Sequence, residues 1–159
     1  MDKKRGRNIS RKRMEHSSIT AAGCVVYAKN TQRYLFLLRN SDNKKNDRTW
    51  GLVGGKVEEG ESVIQGLQRE VSEELSTSFE KYTHLETFTS NNELFVFHTF
   101  LTQVEEEFIP ILNEEHVGYC WVPIKEYPRP LHPGVWKSFK FDSIVKKLET
   151  VQQLANISF

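Results

Sequence analysis

Three glutamates stand close together in the stretch GLQREVSEEL: Glu70, Glu73 and Glu74. Positions i, i+3 and i+4 of a helix share one face, so a helix here crowds three carboxylates. Like charges at that spacing cost about 0.2–0.5 kcal/mol per pair. Glu73 and Glu74 also fall in the last turn, where the helix dipole is negative, and each loses about 0.3–1 kcal/mol there. The nearest base is Arg69, one residue from Glu70 and so expected to face elsewhere. A divalent cation removes the conflict, because hard carboxylate oxygens suit Mg²⁺ or Mn²⁺. Taken alone, the three acids fit a metal site and a solvated acidic face equally well.

The residues before the helix narrow the choice. Gly54 and Gly55 let the backbone turn tightly and bring the Gly54 carbonyl towards the same cluster. Glu61 and Arg69 are too far apart for neighbours on one helix, but they can pair across the loop-to-helix junction and brace it. From Gly55 the chain runs G-x5-E-x7-R-E-V-x-E-E, through Glu61, Arg69, Glu70, Val71, Glu73 and Glu74. This pattern resembles the signature of the Nudix hydrolases, with every charged position in place. Two positions depart from it. Ser76 stands where the signature has a helix-ending glycine, and Thr77 where it has an apolar residue. A serine in the left-handed cap conformation costs about 1–2 kcal/mol.

The resemblance implies an α+β fold, an α/β/α sandwich with a mixed sheet and a metal-binding loop-helix-loop. It implies hydrolysis of the pyrophosphate bond of a small nucleotide: a nucleoside diphosphate linked to another moiety, such as ADP-ribose, a nucleotide sugar, a dinucleoside polyphosphate or a nucleoside triphosphate. By the same resemblance Glu70 and Glu74 are metal ligands. Glu73 is a ligand or a base, Gly54 contributes its backbone, and Gly55, Glu61 and Arg69 support the site. Mg²⁺ is the implied cofactor, with Mn²⁺ possible. Part of the family takes its general base from a loop outside the signature, which points to Glu115 in Glu114-Glu115-His116; a solvated acidic loop reads as well. Arg39, after the apolar run YLFLL, is a candidate phosphate contact, with a surface arginine the equal alternative. Two other readings stand beside hydrolysis of a small nucleotide: an inactive scaffold of the same fold that binds a nucleotide or a protein, and RNA end processing.

These residues need elements to hold them. Ile19–Ala28 and Tyr34–Leu38 read as strands around the turn Asn30-Thr31-Gln32. Ser62 with Gln65 forms a capping-box pattern. Val63, Leu67, Val71 and Leu75 then mark one apolar helix side. Strands follow at Leu85–Thr89, Leu94–Thr102 and Val117–Val122. A last helix over Phe141–Leu154 carries Ile144, Leu148 and Val151 as its buried stripe. Trp50 is expected to pack beneath the glycine loop, and His98 to be a hydrogen-bonded strand histidine. Phe95, Phe97, Tyr119, Trp121, Trp136 and Phe139 are available to wall a base, though most must fill the core.

The chain has 159 residues, enough for one domain with a sizeable core. The expected division is a flexible basic leader over 1–17 and a catalytic domain over 18–159. Residues 1–13 hold seven basic residues against one acid, and the remainder fifteen against twenty. A basic arm on an acidic body suits a solvated tail, or contact with nucleic acid. No apolar run is long enough for a membrane span and no apolar signal core is seen, so the cytoplasm is the expected location. Cys24 and Cys120 lie in apolar stretches and read as reduced core thiols. The partner called for is a small nucleotide, and a homodimer is compatible with the sequence.

Overall fold

The computed structural model describes residues 18–40, 48–132 and 141–157. The basic leader, most of the polar loop after Asn40, and Trp136 and Phe139 lie outside the described residues. The elements run β1 (Ile19–Ala28), β2 (Arg33–Arg39), β3 (Trp50–Gly51), β4 (Val53–Lys56), α1 (Val63–Leu75), β5 (Thr83–Thr89), β6 (Phe95–Val104), β7 (His116–Val122), a 3₁₀ turn (Ile124–Glu126) and α2 (Phe141–Ile157). The strand and helix readings hold to within a few residues at each end. The 3₁₀ turn was not foreseen, nor was the split of the stretch from Trp50 into two short strands.

All seven strands form one mixed sheet. Its main path is β3-β2-β1-β6-β5, with β4 added on β1 and β7 on β2. β1 and β6 run parallel over their whole lengths, from Ile19 opposite Phe95 to Ala28 opposite Val104. The other strand pairs are antiparallel. β1 is buried from Ala21 to Ala28, so it reads as an apolar run rather than an alternating one, as a central strand covered on both sides should.

Period two sends alternate β1 residues to opposite faces. Val25 and Tyr27 join a core with Phe36, Ile144 and Leu148, which seats α2 on one side of the sheet. Ala22, Cys24, Val26 and Ala28 join a second core with Leu67, Val71 and Leu75 of α1 on the other. The result is the α/β/α sandwich. Cys24 and Cys120 are free thiols, Cys24 fully buried. No described helix is long and apolar enough to cross a membrane.

α1 explains why the crowded acids are tolerated. Ser62 caps it: its side chain accepts from the Gln65 N–H at 3.1 Å, while the Gln65 side chain accepts from the Ser62 N–H at 2.9 Å. Leu67, Val71 and Leu75 are at most 2% exposed, and burying such a side chain contributes about 1.5–3 kcal/mol. That outweighs the like-charge cost of about 0.2–0.5 kcal/mol per pair. The helix ends on Ser76 at φ 52, ψ 41, the left-handed cap conformation, with its N–H donating to the Ser72 carbonyl. Packing, not local charge preference, therefore sets the helix.

Two further contacts place the site's neighbours. Trp50 is half-buried against the α2-side core, its N–H donates to the Pro130 carbonyl, and it bridges Leu131. At the far end of β2 the ladder to β7 shifts register between Leu38 and Arg39, which sets Arg39 opposite His116.

Candidate functional site

Arg69 organises one half of the acidic face. Its guanidinium donates to Glu61 from Nε at 3.0 Å and from Nη2 at 3.2 Å, closing the brace from loop to helix. It also donates to the Lys56 carbonyl at 2.9 Å. Nη1 reaches Glu70 at 3.0 Å and Glu73 at 3.3 Å. The expectation that Arg69 faces away from Glu70 is thus corrected. Adjacent helical residues do diverge at Cβ, but the long arginine side chain and its forked head span the difference. Hydrogen bonding to Arg69 holds the Glu61 carboxyl below the usual range. Glu70 moves the other way: burial, with Glu73 and Glu115 adding like charge, outweighs Arg69 and raises it.

The glycines are required by close approach. Gly54 has φ +147, and a Cβ there would lie 2.1 Å from the Ala22 carbonyl oxygen. Held against β1 in this way, Gly54 turns its N–H to Glu74 and donates to Oε2 at 3.0 Å. A Cβ on Gly55 would lie 2.7 Å from the Glu70 carboxylate. The loop and the helix acids are therefore in direct contact, through Gly54 on Glu74 and Gly55 against Glu70.

Glu74 takes its hydrogen bond from the Gly54 backbone rather than from Arg69. It is 2% exposed. Burial dominates and pushes its carboxyl up to about 9; Glu70 and Glu115 add to the rise, while the Gly54 N–H and Arg39 oppose it. Three ligating atoms, one each from Glu74, Glu115 and His116, lie within 4.8 Å of one another. His116 is 7% exposed and its Nδ1 has no hydrogen-bond partner. Burial, with Arg39 adding like charge, depresses its imidazole to about 4, so it is neutral near pH 7. Arg39 also leaves a buried Nε without a partner. The buried Glu74 carboxylate, the exposed Glu115 carboxylate beside it and a neutral imidazole whose Nδ1 is unpaired form a donor set that fits a divalent cation.

Glu74, His116, Arg39, Gly54 and Gly55 line one cavity of about 170 Å³, which also takes in Gly23, Leu52, Phe95, Phe97 and His132. Phe95 and Phe97 project from the same face of β6, ring centroids 6.2 Å apart. Gly23 makes room for Phe97, since a Cβ there would lie 2.7 Å from the ring. The cavity is polar at the carboxylate end and aromatic at the other.

Of the residues singled out from sequence, Gly54, Gly55, Glu74 and Arg39 line this cavity; Glu70 lies against Gly55, and Glu115 beside Glu74 and His116. Glu61 and Arg69 sit behind Glu70. Glu73 is on the rim, its side chain 54% exposed and tied to Arg69. His98 hydrogen-bonds Thr87 at 3.0 Å on the sheet surface, away from the cavity. Sequence reading missed His116 and His132 as part of the site. A signal existed for His116: period two puts it in phase with Cys120 and Val122, which pack inward. His132 follows Leu131, which bridges Trp50, and no local pattern marks it.

The model of the NUDIX domain family matches residues 18–141. The chain belongs to the Nudix family. It is 31% identical over 130 residues to a dihydroneopterin triphosphate diphosphatase of Haemophilus influenzae, covering 71% of this chain and 79% of that one. It is 28% identical over 120 residues to Nudix hydrolase 7 of Arabidopsis thaliana, covering 70% of this chain and 41% of that longer protein. Its fold is similar to the crystal structure of the MutT NUDIX hydrolase from Burkholderia pseudomallei, with a TM-score of 0.64 at 24% identity, over 85% of this chain and 98% of that one. Membership of the Nudix family makes this chain a pyrophosphohydrolase, and Nudix hydrolases use divalent metals.

Proposed function

We propose that this Nudix protein hydrolyses a phosphoanhydride bond of a small triphosphate carrying a flat bicyclic base, a purine or a pterin, with Mg²⁺ as its working ion and Mn²⁺ as a substitute. One observation carries the reading: a single cavity holds Glu74 of the carboxylate cluster together with the aromatic pair Phe95 and Phe97. A planar heteroaromatic ring suits the aromatic end, and the polyphosphate then extends towards Glu74 and Arg39. The similarity to an enzyme named for dihydroneopterin triphosphate supports the pterin as a candidate.

Glu70 and Glu74 would hold the cation, with Glu73 and the Gly54 backbone at its edge. When bound, the ion supplies positive charge that offsets the phosphates and makes a nearby water more acidic. Arg39 orients a phosphate with its unpartnered Nε. Glu115 takes a proton from the attacking water, whose oxygen bonds to phosphorus as the anhydride oxygen departs with the second phosphate product. General-base help of this kind contributes about 10²–10⁴-fold. Glu61 and Arg69 keep Glu70 in position.

The test is a panel of purine, pyrimidine and pterin triphosphates, nucleotide sugars and dinucleoside polyphosphates with Mg²⁺, each product identified by mass. Turnover of a purine or pterin triphosphate is expected, with a loss of at least about a hundredfold in Glu70→Gln and Glu115→Gln. Full turnover in Glu70→Gln, or preference for substrates without a bicyclic base, would overturn the reading. Contact with nucleic acid through residues 1–13 rests on charge alone; unchanged RNA affinity after deleting them removes the arm from the function.

A further inference from the structure

We infer that Glu74, Glu115 and His116 form a mixed oxygen–nitrogen cation subsite, one that takes a first-row transition divalent ion in preference to Mg²⁺. The inference rests on the proposed reading of the acidic face as cation-binding and goes beyond it in naming a nitrogen donor and the ion class that this donor selects.

The geometry supplies the donors from two separate elements. Glu74 comes from the last turn of α1, and Glu115 and His116 come from the entry to β7, with their ligating atoms within 4.8 Å of one another. The entry to β7 is held firmly. The Asn40 N–H donates to the Glu115 carbonyl at 2.9 Å and the Asn40 side chain to the Glu114 carbonyl at 2.8 Å. The Asn113 side chain accepts from the Glu115 N–H at 3.1 Å. Glu74 is fixed from the other side by the Gly54 N–H. Donors held this way need little rearrangement on binding, which favours affinity.

His116 provides the second, independent observation. Its ring is 7% exposed, and its Nδ1 has no hydrogen-bond partner. Buried polar nitrogens are as a rule paired, and one that is not calls for a reason. A ligand that accepts an electron pair supplies one. Mg²⁺ is a poor candidate, since it demands oxygen donors and keeps several of its waters. Imidazole suits transition ions, whose affinity for nitrogen-containing sites rises along the first-row series. Arg39 faces the same trio from β2 and offsets part of the carboxylate charge, so selectivity falls to donor type rather than to charge alone.

Pulsed electron paramagnetic resonance with Mn²⁺ as the probe tests this on the full chain. The expected result is a histidine nitrogen coupling to bound Mn²⁺ in the unaltered protein. In His116→Gln the coupling disappears and Mn²⁺ affinity falls by about 10–100-fold, while Mg²⁺ affinity measured by competition changes less than twofold. The measurement on the unaltered protein stands even where the variant folds poorly. Bound Mn²⁺ without nitrogen coupling would overturn the inference and leave the hydrolase reading intact. No Mn²⁺ or Mg²⁺ binding at all would overturn both.

Discussion

Replacing Glu74 with glutamine should make the metal-free protein more stable and the enzyme inactive. The folded environment raises the Glu74 carboxyl from the ordinary 4.5 to about 9. Between those two values the folded chain holds a proton that the unfolded chain has released. The associated stability is therefore present below pH 4.5 and lost as pH rises towards 9, at up to about 1.4 kcal/mol per pH unit. At pH 7 the loss is about 3 kcal/mol, and at pH 5 under about 1 kcal/mol. Glutamine has nearly the same shape, keeps an oxygen for the Gly54 N–H, and does not ionise. Its buried amide nitrogen takes back part of the gain, so the change with pH is more diagnostic than the gap at any one pH. Urea unfolding in a chelator at pH 5, 6 and 7 measures it. The variant's advantage should widen steadily with pH, reaching roughly 6–12 °C in the thermal midpoint at neutral pH if most of the gain survives. Added Mg²⁺ should then close the gap by stabilising only the parent protein. A gap that stays constant with pH, or a variant less stable than its parent at pH 7, would refute the electrostatic reasoning.

Three other outcomes follow from geometry. Gly55→Ala places a Cβ 2.7 Å from the Glu70 carboxylate; it should lower kcat/KM by about 10²-fold through misplacement, with circular dichroism unchanged. Ser76→Gly relieves a left-handed serine at φ 52 and should raise stability by about 0.5–1 kcal/mol, read by urea unfolding with activity unaffected. Arg69→Ala releases Glu61, Glu70 and Glu73 together and should weaken metal affinity by about 10–100-fold in calorimetry.

The helix and its acids were readable because each rests on local rules. The capping box at Ser62 and the apolar spacing of four follow from chemistry within a few residues, whereas Ser76, in place of the signature's glycine, does not announce the left-handed ending it adopts. What sequence spacing cannot state is reach. Arg69 touches Glu70 because a long side chain bends round the helix, and residue spacing alone pointed the other way. His116 meets Glu74 through tertiary structure: a register shift in the β2–β7 ladder sets it opposite Arg39, and the sheet brings it beside the end of α1. That contact spans some forty positions of chain and depends on the whole sheet. The parallel match of β1 with β6 is equally non-local. The proposed ring, purine or pterin, is likewise not named by the signature, which describes the phosphate end.

β1 gives its edge to two partners in turn, β4 along Ala21–Cys24 and β2 only at Tyr27 and Ala28. Val25 and Val26 lie between the two ladders, both buried, and Gly54 sits inside the first of them, opposite Gly23. That backbone pairing fixes Gly54, and with it Glu74, independently of the side chains across the cavity; Phe95, Phe97 and His132 can therefore be exchanged to admit a different guest while Glu74 stays where the helix puts it.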